Sequence, residues 1–462
     1  MPWLLNLGYV ALLLAVSPVL LYRRWVLGKY RDGWAEKLWG QLPERSGSKP
    51  CLWLHAVSVG EVLQLRPMMK LLAAQRPDWD FVITTTTRTG LDVAKKEYPQ
   101  HTVCYFPLDF SWATHRAIAR IKPSAIVLVE LELWPNFVLS ANRLGIPLAL
   151  INGRVSEKSF RGYRRIRPLI ARLLRGFDLL AAQNNEHSDR LLALGAPRDR
   201  LHVTGSVKFD GVRSDRSNPK TTELREFFGL HPEEKVFIAG STQAPEEAFA
   251  LDTWQTLRNE FPNLRLILVP RHKERFEEVA ALVASRGWPL LRRSTDRGQA
   301  PQNSELAEQR VDSTQNSIPP ILNSAVPDPG PILLLDTLGE LGACWGLADI
   351  AFVGGSLTQR GGQNMLEPAA YGAAVLFGPN TCNFRDIVEQ LLARDAARVV
   401  RSEQEMTSAV RELLKSPAIV HELGVRAKAF VATQQGAAAR TVELLLSLPI
   451  NHANSTPERR AA

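Results

Sequence analysis

Along most of this chain, short aliphatic and β-branched runs alternate with stretches whose apolar positions recur every three to four residues. The first pattern fits strands buried on both faces, and the second fits helices that bury one face. Their alternation predicts a parallel α/β architecture. In the amino-terminal half the pattern predicts strands at 51–57, 81–87, 102–108, 125–132, 147–152, 179–183 and 201–206. In the other half it predicts strands at 235–240, 264–270, 332–336, 350–355 and 373–378. Between the two series, 212–222 is polar and holds Ser, Asn and Pro, the composition of a hinge. The expectation is two doubly wound, Rossmann-like domains, 29–212 and 223–450, with a linker at 213–222 and facing one another across a cleft.

Three segments depart from this rhythm. Residues 293–331 are rich in Gln, Asn, Ser and Pro, cannot bury enough apolar surface to offset ordering, and predict a disordered insertion. The tail at 451–462 has the same character. At the other end, 3–22 is an uncharged, mostly apolar run, close to the roughly 20 residues that cross a bilayer as a helix. Arg23, Arg24, Lys29 and Arg31 follow it, which by the positive-inside rule leaves the rest of the chain in the cytoplasm. Residues 1–28 therefore read as an amino-terminal membrane anchor, with a buried or interfacial helix as the other reading.

Bulk properties narrow the function classes. At 462 residues the chain exceeds one ordinary core. Its net charge of +9 and its pI near 9.5 suit an anionic partner, whether nucleic acid, anionic lipid or a phosphorylated substrate. No nucleic-acid fold signature accompanies the charge, so no nucleic-acid partner is expected. The basic, apolar-interleaved stretch at 154–175 fits an anionic membrane surface or a phosphorylated lipid as well as it fits a solvated helix face. The 4 cysteines form no CxxC pair and the 9 histidines no HExxH, so neither disulfides nor a metal site is expected.

Candidate chemistry collects where strands end, the edge at which open α/β sheets bind ligands. The glycine-rich segment 354–368 follows an apolar strand and opens into a helix. Its backbone N–H groups, including those of Gly355 and Ser356, would cradle a phosphate, with Asn364 and Glu367 together one turn on. The segment reads as a nucleotide site. Arg271 follows another strand and favours anion binding, and His272 beside it reads as positional. After the first strand come Ser58, Gly60 and Glu61; on residues alone, Glu61 is evenly a general base or an acid answering a helix dipole. Glu130 and Glu132 share one face of an expected extended segment, and Arg154, Ser156 and Lys208 lie at the same edge.

These motifs together resemble the bacterial 3-deoxy-D-manno-octulosonic acid (Kdo) transferases of lipid A assembly, which adopt the GT-B fold. The resemblance runs from the amino terminus to about residue 445, interrupted at 293–331. It is carried by His55-Ala56-Val57-Ser58-Val59-Gly60-Glu61, Glu130-Leu131-Glu132-Leu133-Trp134-Pro135-Asn136 and Asn152-Gly153-Arg154-Val155-Ser156. Gly205-Ser206-Val207-Lys208-Phe209-Asp210, Pro270-Arg271-His272, Asp336-Thr337-Leu338-Gly339-Glu340-Leu341 and the glycine-rich segment complete it.

The resemblance implies an inverting glycosyl transfer from CMP-Kdo to a phosphorylated lipid A precursor, lipid IV-A. The reaction belongs to lipopolysaccharide biosynthesis at the cytoplasmic face of the inner membrane and uses no cofactor. Glu61 would be the base. Arg271, His272, Gly339, Glu340, Leu341, Gly355, Ser356, Asn364 and Glu367 would meet the donor. Ser58, Gly60, Glu130, Glu132, Arg154, Ser156 and Lys208 would line the acceptor side or the cleft. Where the family has histidines, this chain has Gln243 and Gln363, and Pro245 follows the first of them closely. The alternatives are another GT-B transferase, a sugar-nucleotide epimerase, or a membrane-tethered protein that binds without catalysis.

Overall fold

The computed structural model describes residues 2–26, 32–295 and 330–449. The bulk of the expected insertion and the tail from 451 lie outside the described residues, as do Lys29 and Arg31. The chain divides into two compact units, Met1–Gly211 with Gln434–Ala462, and Val212–Thr433.

Among the described residues the first unit holds seven parallel strands: β1 (Cys51–His55), β2 (Asp80–Thr85), β3 (Thr102–Tyr105), β4 (Ala125–Val129), β5 (Leu148–Gly153), β6 (Leu179–Ala182) and β7 (Leu201–Val203). Their order, β3-β2-β1-β4-β5-β6-β7, reverses between β1 and β4. β1 is buried along its whole length because helices cover both faces. Cys51 and Trp53 join one apolar cluster with Ile126 and Leu128, and Leu52 and Leu54 join the other with Val127 and Val129. That two-sided burial is why the sequence shows continuous apolar runs rather than alternation.

The second unit repeats the plan with β8 (Lys235–Thr242), β9 (Leu264–Pro270), β10 (Leu290–Arg292), β11 (Ile332–Leu334), β12 (Ile350–Val353), β13 (Ala374–Phe377) and β14 (Ala397–Val399). The order is β10-β11-β9-β8-β12-β13-β14, reversing between β8 and β12. The sequence pattern missed β10 and β14, the two edge strands, which are too short to establish a period.

Several expectations are corrected. The helix Ala437–Leu446 belongs to the first unit, not to a domain running to 450: Ala437, Val442 and Leu445 pack in the same cluster as Leu65 and Leu72 of the helix Val59–Gln75. Asp210 accepts hydrogen bonds from the Gly436 and Ala438 N–H groups at 2.6 and 2.5 Å, fixing the entry to that helix. The expected linker already contains helix, because Asn218 caps Pro219–Phe227. Arg293 and Ser294, assigned to the insertion, sit in a turn where Ser294 N–H donates to Asp336. The basic stretch is two helices, Glu157–Arg165 and Arg167–Leu174, broken at Ile166 with Pro168 opening the second.

The amino-terminal run forms a helix, Pro2–Trp25, yet among the described residues no helix is long and apolar enough to cross a membrane. Its polar positions tie it to the first unit. Asn6 donates to Ser111 Oγ at 2.8 Å and accepts from Asn136 Nδ2 at 3.1 Å, and the Tyr9 hydroxyl donates to Asp109 at 2.9 Å. Beyond those contacts the helix leaves Leu7, Leu12, Leu14, Val19 and Trp25 exposed.

Candidate functional site

Both switch points gather polar groups, and each is built around a glutamate at the start of the helix that follows the unit's first strand. In the first unit, Ser58 caps the helix Val59–Gln75. Its hydroxyl donates to Glu61 Oε1 at 2.7 Å, and Glu61 Oε2 accepts the Val57 N–H at 2.8 Å. Ser58 and Glu61 thus form a reciprocal capping pair. Burial raises the proton affinity of Glu61 above the usual carboxylate range; these hydrogen bonds oppose the rise, and the charge of Glu130 adds to it. The Ser58 N–H contributes more weakly, so the carboxylate, with about four lone-pair sites, is not saturated.

Glu130 and Glu132 do not share a strand face, because β4 ends at Val129 and Glu130 turns into a left-handed conformation with φ of 60°. The turn nevertheless places both acids in the field of Glu61. Glu132 is pushed up to about 7, first by burial and then by the charge of Glu61. His55 stacks on Phe106 with ring centroids 3.7 Å apart, and burial pushes its pKa down to about 3, so it stays neutral. A Cβ on Gly60 would stand 3.8 Å from Ser58 Oγ, an ordinary contact, so the backbone does not demand glycine there.

The remaining acceptor-side candidates follow β5 and β7. Ser156 caps its own helix, accepting from Ser159 N–H at 3.1 Å. Arg154 follows β5, and Lys208 is half-buried in the turn after the edge strand β7. A link the sequence did not reveal runs through Asn152, which has φ of 53°, donates to Gln64 at 2.7 Å and accepts the Val207 N–H at 3.3 Å.

In the second unit the glycine-rich segment differs from the expected open cradle. The N–H groups of Gly355, Ser356 and Leu357 already donate to the Glu246 carboxylate at 2.7, 3.0 and 2.9 Å, and Gln243 N–H joins them at 2.9 Å. Gly355 and Ser356 therefore serve an internal anion. Burial raises the proton affinity of Glu246, and the four N–H donors pull it back. A Cβ on Gly354 would fall 2.5 Å from Thr242 Cα, so the two strand ends approach only because that position is glycine. Glu246 was the residue sequence reasoning missed; its signal was an acid one turn past the end of the first strand of the unit, as at Glu61.

A second group does come together as expected. Asn364 precedes the helix Leu366–Tyr371 rather than lying within it, and its Nδ2 donates to Glu367 Oε1 at 3.1 Å. Burial raises Glu367, while Asn364, the charge of exposed Arg271 and Trp345 lower it. Gly342, in the short helix after the Gly339-Glu340-Leu341 turn, lies beside Glu367, where an added Cβ would be 3.7 Å from Oε2. Glu340 itself anchors that turn: its carboxylate accepts from Arg293 Nη2 at 3.1 Å and from the Thr337 hydroxyl. His272 is exposed and precedes a 3₁₀ turn. Gln363 packs over Gly355, with Nε2 3.2 Å from where a Cβ would be. Among the described residues no cluster of His, Cys, Asp or Glu is arranged to hold a metal ion.

Residues 32–211 match the family described as 3-Deoxy-D-manno-octulosonic-acid transferase (kdotransferase). A 3-deoxy-D-manno-octulosonic acid transferase of Haemophilus influenzae is 32% identical over 95% of this chain and 97% of that protein. One from Bordetella pertussis is 31% identical over 85% of this chain and 86% of its own length. Among solved structures, a UDP-GlcNAc 2-epimerase from Neisseria meningitidis bound to UDP-GlcNAc aligns with a TM-score of 0.56 at 14% identity, over 86% of this chain and 99% of that one. That last likeness is one of fold.

Proposed function

The chain belongs to the Kdo transferase family, and from that premise we propose that Glu61 is the general base of its glycosyl transfer and that the Arg271–Asn364–Glu367 group holds the donor. The protein is a glycosyltransferase that transfers Kdo in lipopolysaccharide biosynthesis. Its two seven-stranded α/β units are GT-B-like. In this reading the donor is CMP-Kdo and the acceptor a phosphorylated lipid A precursor.

The observation that carries the base assignment is the position of Glu61 at the switch point of its sheet, close to Glu130 and Glu132, with its proton affinity raised. An acceptor hydroxyl attacks the anomeric carbon of Kdo as its proton passes to Glu61, and the carbon–oxygen bond to CMP breaks on the opposite side, inverting the centre. A base of raised proton affinity takes that proton more readily than an ordinary surface carboxylate. CMP departs as a phosphate anion, which the Arg271 guanidinium can stabilise by charge-assisted hydrogen bonds. Glu367, oriented by Asn364, can accept hydrogen bonds from a ribose diol.

Membrane association at the cytoplasmic face of the inner membrane also belongs to this proposal. It is supported by the exposed apolar residues of Pro2–Trp25 and by exposed Arg161, Arg164, Arg165 and Ile166 on the basic helices. The deciding experiment measures Kdo transfer from freshly generated CMP-Kdo to a tetra-acylated lipid A precursor, comparing wild type with Glu61→Gln. A fall of about 100- to 10,000-fold with CMP binding retained is expected for loss of a general base. Undiminished transfer by the variant sinks the base assignment.

A further inference from the structure

At the edge of the second sheet opposite the donor residues, a cavity of about 510 Å³ opens among the amino-terminal ends of the central strands. Lys235, the first residue of β8, lines it, as do Asp349 and Ile350 at the start of β12 and Gly372 just before β13. Ligands of known α/β sites bind at the other edge, so this cavity is not part of the transfer site. Its size falls within the range of small-molecule pockets, roughly 300–1,000 Å³.

One wall is the helix Pro417–Gln434, held close by a pair of glycines. A Cβ on Gly424 would stand 2.2 Å from the Gly372 carbonyl oxygen, and Gly372 itself has φ of 74°. Neither position accepts a side chain, so the backbones meet and the cavity's floor is fixed. Arg216, also in the lining, is fixed by its guanidinium, which donates to the carbonyls of Ala348, Tyr371 and Gly346 at 2.8, 3.0 and 3.2 Å.

The charge in the cavity is not neutralised from within. Lys235 and Lys428 line it without an acidic partner among the described ion pairs, and His421 stands beside them. Acids on the neighbouring helices are engaged elsewhere, Glu412 with Arg398 at 2.9 Å and Glu422 with Arg426 at 3.5 Å. Asp349 accepts the Val236 N–H at 2.9 Å and lies in the field of Arg216. The same cavity is also lined by apolar surface from Leu414, Val420 and Val425. A free inorganic anion would leave that surface wet, and a neutral apolar ligand would leave the lysines without a counter-charge.

We infer that this cavity is a second ligand site, which takes a small anionic amphiphile: a phosphate or carboxylate head between Lys235 and Lys428, and a short apolar chain against Val420 and its neighbours. The probe is dihexanoyl phosphatidic acid below its micelle concentration, titrated calorimetrically into the full chain, with inorganic phosphate and CMP titrated in parallel. Saturable binding of the amphiphile is expected, at least tenfold tighter than that of inorganic phosphate. Lys428→Glu, at an exposed position, should weaken it about tenfold or more while leaving the melting temperature and CMP affinity unchanged. Val420→Trp should block it by filling the cavity. The inference is overturned if the amphiphile does not saturate, if inorganic phosphate binds equally well, or if folded Lys428→Glu binds the amphiphile like wild type, since the binding then lies elsewhere on the chain.

Discussion

Glu61 and Glu246 occupy the same place in their respective units: each opens the helix after the first strand, at the point where strand order reverses. Their surroundings make them different groups. Glu61 accepts the Val57 N–H and the Ser58 hydroxyl, with a weaker contribution from the Ser58 N–H, all from its own turn, and the charge of Glu130 adds to its proton affinity. Glu246 accepts four N–H groups, three of them from the loop after β12, and is 0% exposed. A saturated carboxylate is a strut. One with lone pairs left, at 9% exposure, can exchange a proton. What separates the two is the number of donors that converge, not residue type or topological position.

The strongest way to break this comparison is to remove the strut. Glu246→Ala should destabilise the protein by about 4 kcal/mol or more, since several buried N–H groups lose their partner at roughly 1–3 kcal/mol each. Glu61→Ala should cost only about 1–2 kcal/mol, the scale of a lost cap. Denaturant titration of the two variants checks the contrast; equal losses would erase it. Next in size, Arg271→Ala should weaken CMP binding about tenfold with the melting temperature unchanged, because the guanidinium is exposed. Calorimetric titration with CMP reads this directly.

A subtler effect sharpens the claim that Glu61 titrates. Glu130→Gln removes a negative charge that raises the proton affinity of Glu61, so the base should lose its proton at lower pH. Because the base works unprotonated, the acid limb of the kcat/KM profile should move to lower pH; an upward move or none contradicts the assignment. Smallest of all, Ser58→Ala should lower stability by about 1 kcal/mol through loss of the helix cap, measured by thermal melting.

Much of the fold was legible because the strands are buried on both faces and so leave continuous apolar runs. Trp53 and Leu54 face different clusters, yet both had to be apolar. The short edge strands β10 and β14 left no such trace. In the site, Asn364 and Glu367 were readable from spacing, and they meet even though the helix begins later than expected. Glu130 and Glu132 were found for a reason that failed, since a left-handed turn rather than strand alternation brings them near Glu61.

By itself the sequence determined the two-unit parallel α/β plan and the edges that hold the chemistry, because hydrophobic periodicity and strand–helix turns are local properties. It also placed Glu61, Arg271, Asn364 and Glu367 on those edges. Only the tertiary structure decided that Glu246 fills the glycine-rich cradle, that the helix Ala437–Leu446 returns to the first unit, and that Glu340 is held by Arg293. Each of these joins groups far apart in the chain, and which donor reaches which carboxylate follows from strand order and close packing that no local pattern records.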